Sequence, residues 1–177
     1  MENRILFAGF GGQGVLSMGM LLAYAGMLEG KNVSWLPSYG PEMRGGTANC
    51  SVIISDTTVG SPLVMEPMAL IAMNGPSLDK FEQTVVDGGL LIINSNIVDR
   101  KAQREDLRVH YVPANELALK AGNIKAANMV MLGAYLKNTR LVSIESVMGS
   151  FINVFGKDKE RFIPMNREAL KLGMESV

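Results

Sequence analysis

A single cysteine, Cys50, stands in a chain of 177 residues. A disulfide needs a pair of thiols and an iron–sulfur cluster held by thiolates needs about four, so this chain holds neither by itself. The single histidine, His110, likewise excludes a histidine-rich metal site or a relay of two imidazoles. Redox or metal chemistry nearby has to be supplied by other chains. Charge of one sign is lacking as well: 17 Lys and Arg face 17 Asp and Glu. No basic excess remains to neutralise a phosphate backbone, so nucleic acid is not an expected partner, while neutrality favours association with other proteins. Repeats, low-complexity tracts and linkers are absent, and the length fits one domain with a real core. With 47% hydrophobic and 19% charged residues, the chain is globular rather than disordered.

No charged residue occurs from Ile5 to Leu28, which invites a membrane reading. The cluster Gly9–Gly14 interrupts the run, and a helix from Val15 to Leu28 covers only ~21 Å at 1.5 Å per residue. The hydrocarbon layer is ~30 Å thick, so this segment does not span it and no membrane is expected as a partner. Ala23-Tyr24-Ala25 resembles a secretory cleavage site, but the glycines spoil the apolar region before it and Glu2 dilutes a positive start. A cytoplasmic location is the expectation.

The hydrophobic pattern alternates strands and helices. Arg4–Ala8 reads as a buried strand that turns through glycines into a helix from about Gln13 to Glu29, ended by Gly30. Asn32–Leu36 is a second strand, followed by turn chemistry through Ser38–Gly46. Thr47–Ser55 alternates, with Ala48, Cys50, Val52 and Ile54 on its apolar face. Strands follow at Ala69–Met73, Gly89–Asn94 and Leu107–Val112, with a helix opening at Pro76. Helices are expected near Asn115–Ala121, Lys125–Lys137, Ile144–Val154 and Arg167–Met174, with Ser143 and Asn166 as N-caps. The implied architecture is α/β: a single-domain, Rossmann-like, mostly parallel sheet flanked by helices. The segments Val15–Leu28 and Ala126–Leu136 are apolar nearly all round. Either the domain covers them itself or a partner chain covers part of them, and 13 methionines suit irregular contact surfaces.

Gly9, Gly11 and Gly14 satisfy G-x-G-x-x-G between a strand and a helix, a context in which backbone N–H groups and the helix dipole attract an anion. A nicotinamide site also expects an acid about twenty residues on, at the end of the second strand. Here Leu36–Tyr39 occupies that place, and Glu29 and Glu42 are misplaced. The glycines therefore suit either an anion or close helix–strand packing. Tyr39-Gly40-Pro41-Glu42-Met43-Arg44-Gly45-Gly46 falls where open α/β sheets place ligands, and it offers one guanidinium suited to phosphate or carboxylate. A surface turn with a solvated ion pair is the alternative. Cys50 lies on the apolar face of its strand, where thiols are inert, and His110 on the polar side of its own. Neither is a catalytic candidate, and no metal ligand set is apparent.

The segments I-L-F-A-G-F-G-G-Q-G-V, S-Y-G-P-E-M-R-G-G-T-A-N-C-S-V-I-I-S, I-A-M-N-G-P-S-L-D-K-F and N-M-V-M-L-G-A resemble, in order, those of the gamma subunits of 2-oxoacid:ferredoxin oxidoreductases. They look nearer to the 2-oxoglutarate branch than to the pyruvate or branched-chain branches. The resemblance implies one pyruvate/ketoisovalerate oxidoreductase gamma-type catalytic domain over residues 1–177. It implies a multi-subunit enzyme that oxidatively decarboxylates a 2-oxoacid with coenzyme A and passes two electrons to ferredoxin. Alpha and beta subunits, with a ferredoxin-like delta subunit as a further component, would be the partners. Thiamine diphosphate, magnesium and iron–sulfur clusters would belong to them, and this chain alone would hold no cofactor. By the same resemblance, Gly9, Gly11, Gly12, Gln13 and Gly14 match the family's glycine loop, and Tyr39, Gly40, Pro41, Glu42, Arg44, Gly45 and Gly46 its second block. Because both loops suit an anion and should meet at one sheet edge, their expected joint role is to contact an anionic ligand such as the coenzyme A phosphates or to dock the alpha subunit. Three other readings stay open: a gamma subunit for pyruvate, a branched-chain acid or indolepyruvate; a stand-alone nucleotide-binding domain; and a scaffold whose loops serve only packing.

Overall fold

In a computed structural model, residues 1–39 and 47–177 are described, Tyr39 in its backbone only. The chain opens with β1 (Glu2–Phe10), α1 (Val15–Leu28), β2 (Asn32–Tyr39), β3 (Thr47–Ser55) and β4 (Ala69–Ala72). Helix α2 (Gly75–Phe81), β5 (Leu90–Asn94), β6 (Arg108–Val112) and α3 (Ala114–Ala121) follow. The remainder is helical: α4 (Ala127–Thr139), α5 (Ile144–Gly149), α6 (Phe151–Phe155) and α7 (Ile163–Glu175). Short 3-10 stretches occur at Glu82–Thr84, Ile124–Ala126 and Lys157–Phe162.

The six strands form one sheet in the order β2-β3-β1-β4-β5-β6. β1, β4, β5 and β6 pair in parallel, whereas β3 runs antiparallel to both β1 and β2. The larger core lies on the face covered by α1, α3, α4, α5 and α7, where Ile5, Phe7, Cys50, Val52, Ile54, Ile71 and Ile92 point. The opposite face carries Leu6, Ala8, Leu70, Leu91 and Ile93 beneath Leu78 of α2 and Val85. Burial on both faces explains why Ala69–Ala72 and the first four residues of β5, Leu90 to Ile93, read as unbroken apolar runs.

Several expectations need correcting. The second strand does not stop at Leu36: it continues to Tyr39, paired with β3 from Asn32 opposite Ser55 to Tyr39 opposite Ala48. Pro37 is tolerated because β2 is an edge strand with one unpaired side. Asn166 is not an N-cap. α7 begins earlier, at Ile163 with Pro164 in its first turn, and Asn166 Nδ2 donates back to the Phe162 carbonyl at 2.8 Å. The segment 144–154 divides at Ser150, whose hydroxyl donates to the Ser146 carbonyl at 2.8 Å and competes with the helical ladder. Ser143 does cap α5, accepting from Ser146 N at 3.1 Å.

The two oily helices are covered by their own domain. Every residue of α4 from Ala127 to Leu136 is buried, and α1 leaves open chiefly Met27 and Leu28 at its last turn, 56% and 57% exposed. Among the described residues no helix is long and apolar enough to cross a membrane. α4 reaches full burial because Gly133 and Gly173 let it lie directly on α7: a Cβ at either would collide with the carbonyl of Leu170 or Val130. Gly133→Ala should therefore lower the unfolding free energy by ~3 kcal/mol, the upper end of the usual overpacking cost. Gly60→Ala, with nothing within 4 Å of the added methyl, should change it by less than ~0.5 kcal/mol. Urea unfolding of both variants checks the contrast.

Candidate functional site

The turn from β1 to α1 is held by one side chain. Gln13 Oε1 accepts from Phe10 N at 2.7 Å and from Asn74 Nδ2 at 3.2 Å, and Gln13 Nε2 donates to the Met73 carbonyl at 3.3 Å. Asn74 in turn caps α2 by accepting from Ser77 N at 2.9 Å, so one amide stitches the glycine loop to the β4–α2 turn. Gly9 leaves room for it: a Cβ there would stand 2.6 Å from Gln13 Oε1 and 2.9 Å from Met73 Cβ. Gly14 begins α1 at φ 73, a left-handed conformation costly for residues with a Cβ. A Cβ on it would also meet Asn128 Nδ2 at 2.5 Å, the group that donates to the Gly14 carbonyl at 3.3 Å. Close packing thus accounts for Gly9 and Gly14. Gly12, at φ 93 with nothing within 4 Å, faces open space. The first turn of α1 contains no acid and receives no side-chain cap, which leaves the positive end of its dipole available to an anion.

Carboxamides recur along the carboxyl ends of the parallel strands. Asn94 Nδ2 donates to Asn115 Oδ1 at 3.0 Å, and Asn96 Oδ1 accepts from the N–H groups of Asn115 and Glu116 at the start of α3. Two cavities open at this edge, one of about 200 Å³ beside Gly12, Gln13 and Asn115, the other of about 390 Å³ beside Gly14 and Asn128; Lys125 lines both. Among the described residues no group of three or more His, Cys, Asp or Glu could hold a metal ion.

The second sequence block bears on the same edge through its ends. Thr47 pairs with Phe10, and Tyr39 with Ala48, so the β2–β3 connection springs from the end of the sheet where the glycine loop lies. Gly40, Pro41, Glu42, Arg44, Gly45 and Gly46 fall outside the described residues. Cys50 is fully buried. Desolvation pushes its thiol up to about 12, and the thiol donates weakly to the Val15 carbonyl at 3.5 Å, so it stays protonated at neutral pH and is no nucleophile. His110 is half-buried on β6, away from both cavities.

Sequence reasoning missed Asn74, Asn128 and Lys125. The first had a readable signal, since Asn-Gly-Pro-Ser places an N-cap before a proline-opened helix. Asn128 was the one amide in the apolar stretch Ala126–Leu136. Lys125 had no local signal, because only the fold brings it to the loop after β1.

Fold and edge together define an α/β domain whose glycine loop and neighbouring cavities lie at the carboxyl ends of the parallel strands. Residues 4–176 match the family described as pyruvate ferredoxin/flavodoxin oxidoreductase. Ketoisovalerate oxidoreductase subunit VorA of Methanothermobacter thermautotrophicus is 45% identical over 174 residues, covering 98% of this chain and 36% of that protein. The 2-oxoglutarate synthase subunit KorC of Methanocaldococcus jannaschii is 32% identical over 163 residues, covering 90% of this chain and 87% of that one. Among solved structures, the gamma subunit of a keto/oxoacid ferredoxin oxidoreductase from Geobacter sulfurreducens is similar with a TM-score of 0.82 and 32% identity, over 98% of this chain and 97% of that one. This chain therefore belongs to the pyruvate ferredoxin/flavodoxin oxidoreductase family. It spans about a third of the length of the ketoisovalerate relative and most of the 2-oxoglutarate one.

Removing the stitching amide tests the geometry of the loop. Gln13→Ala should cost about 2 kcal/mol of stability, because it strands the Phe10 N–H and the Met73 carbonyl. Urea unfolding measures it, and a loss below ~0.5 kcal/mol, the size of an ordinary surface change, would contradict the assignment.

Proposed function

We propose that this chain is the gamma component of a multi-subunit 2-oxoacid:ferredoxin oxidoreductase. Such an enzyme converts a 2-oxoacid and coenzyme A into an acyl-CoA and CO2 and passes two electrons to ferredoxin. The observation that carries the reading is the family match over residues 4–176. Alpha and beta subunits and a ferredoxin-like delta subunit are the proposed partners, in the cytoplasm, with ferredoxin as the acceptor of the assembly.

The reactive centre belongs to those partners. Thiamine diphosphate with magnesium does not fit the residues present, since no acidic cluster lies among the described ones and no G-D-G…N-N segment occurs. One buried thiol does not fit an iron–sulfur cluster either. What this chain contributes is binding. Gly9, Gly11, Gly12, Gln13 and Gly14, with Tyr39, Gly40, Pro41, Glu42, Arg44, Gly45 and Gly46, form the proposed contact for the coenzyme A phosphates or for the alpha subunit. The pairing of Phe10 with Thr47 supports a joint role, because both connections leave the same end of the sheet. Among substrates, 2-oxoglutarate follows from the sequence blocks, and a branched-chain 2-oxoacid is a second reading favoured by the 45% identity to the ketoisovalerate relative.

Arg44→Ala in the assembled complex tests the contact. Loss of a charged hydrogen bond should raise the KM for coenzyme A about tenfold or more, or release this subunit on gel filtration. An unchanged KM in an intact complex overturns the assignment.

A further inference from the structure

We propose that the free edge of β2, with the flank of α1 beside it, binds a second copy of this chain as an antiparallel strand pair, so that one sheet runs through both copies. β2 ends the sheet and is hydrogen-bonded to β3 alone. It is 8 residues long, where the mean strand has about 5–6. No residue from Asn32 to Tyr39 is charged. Native proteins blunt a long edge with charges or bulges. Here the register with β3 runs unbroken from Asn32 to Tyr39, and Lys31, the charge that precedes the strand, is paired with Asp56. Pro37 alone interrupts the row of donors.

Pro37 also sets the register. Edge strands hold proline with its nitrogen toward solvent, and successive residues of an antiparallel strand alternate in direction. Val33 and Trp35 therefore aim their N–H and C=O groups outward with it. A two-fold axis at Ser34 places Val33 of each copy opposite Trp35 of the other, and the two exchange hydrogen bonds in both directions. Pro37 then meets Lys31 of the second copy at the end of the ladder, where it has only to accept. No like charges stand opposite each other, and with 17 basic and 17 acidic residues the copies carry no net charge that repels. That self-complementarity singles out a second copy as the occupant.

A strand pair by itself is marginal in water, and α1 supplies the apolar area it lacks. Gly19 and Gly26 turn toward the sheet, against Cys50, Trp35, Val33 and Ile54, while Gly14 lies against Asn128 of α4. Leu16, Met20 and Met27, spaced i, i+4 and i+11, share the flank turned away from α4. Because α4 lies on the β5 side of α1, that flank looks over β2. Leu16 and Met20 are half-buried and Met27 is exposed. Val33 and Trp35, on the same face of the sheet as α1, are likewise only partly buried. Strand edge and helix flank thus make one uncharged strip. The proposal stands on this strip and not on the subunit reading above.

The test is analytical ultracentrifugation of the full chain, which should show a monomer–dimer equilibrium. Trp35 is the only tryptophan, so its emission should shift on dilution with the same midpoint, and hydrogen exchange at the Val33 and Trp35 amides should slow as concentration rises. Ser34→Lys sets two ammonium groups face to face across the axis and should raise the dissociation constant about fivefold. Met27→Lys should raise it about tenfold by putting charge into the apolar strip; its exposed position keeps the test open should Ser34→Lys fail to fold. Leu119→Lys, at an exposed leucine of α3, should leave it unchanged. A chain that stays monomeric at millimolar concentration overturns the proposal, as does a dimer that ignores Met27→Lys or gains no protection at Val33 and Trp35. Release of a companion subunit by Met27→Lys, with self-association of the chain unaffected, overturns it too, because the strip then belongs to that companion.

Discussion

The carboxamide of Gln13 closes the turn on which the whole carboxyl edge of the sheet depends. By accepting from Phe10 and Asn74 and donating to Met73, it locks the end of β1 to the end of β4. Gly9 is confined to hydrogen by that amide, and Gly14 by Asn128 across from it. A G-x-G-x-x-G turn in a dinucleotide site keeps its N–H groups for pyrophosphate. Here the protein's own oxygen takes the Phe10 N–H, and the open space lies instead to either side of the loop, in the cavities that share Lys125.

The chemistry of this edge is uniform. Amides, lysines and helix starts line it, while the one thiol is buried and protonated and the one imidazole sits elsewhere on β6. Groups of this kind suit an anion. Other polar clusters are architectural. Buried Glu82 receives Arg100 at 2.9 Å and the N–H of Arg104 at 3.0 Å, pinning the β5–β6 connection beneath α2.

Much of this was legible in the sequence where one local rule acted alone. Thr47–Ser55 emerged at its true limits because alternation leaves no second option, and the strand–glycine–helix opening was unmistakable. Pro37 misled because an edge strand tolerates what a central strand does not. Asn166 misled because an asparagine before a helical run looks like a cap, whereas Pro164 had already begun the helix. The burial of α4 could not be read at all: it depends on Gly133 and Gly173 facing each other's helices from opposite ends of the last third of the chain. Both walls of the larger cavity come from segments more than a hundred residues apart, which no spacing rule joins.

The proposed division of labour, in which this chain binds and its companions react, can be read from ferredoxin reduction with a 2-oxoacid and coenzyme A, comparing the purified chain with the assembly recovered from cells through a tag on it. No turnover by the chain alone and coenzyme A-dependent reduction by the assembly are expected. Turnover by the isolated chain, or its recovery without companions and with a nicotinamide bound at the glycine loop, would contradict it.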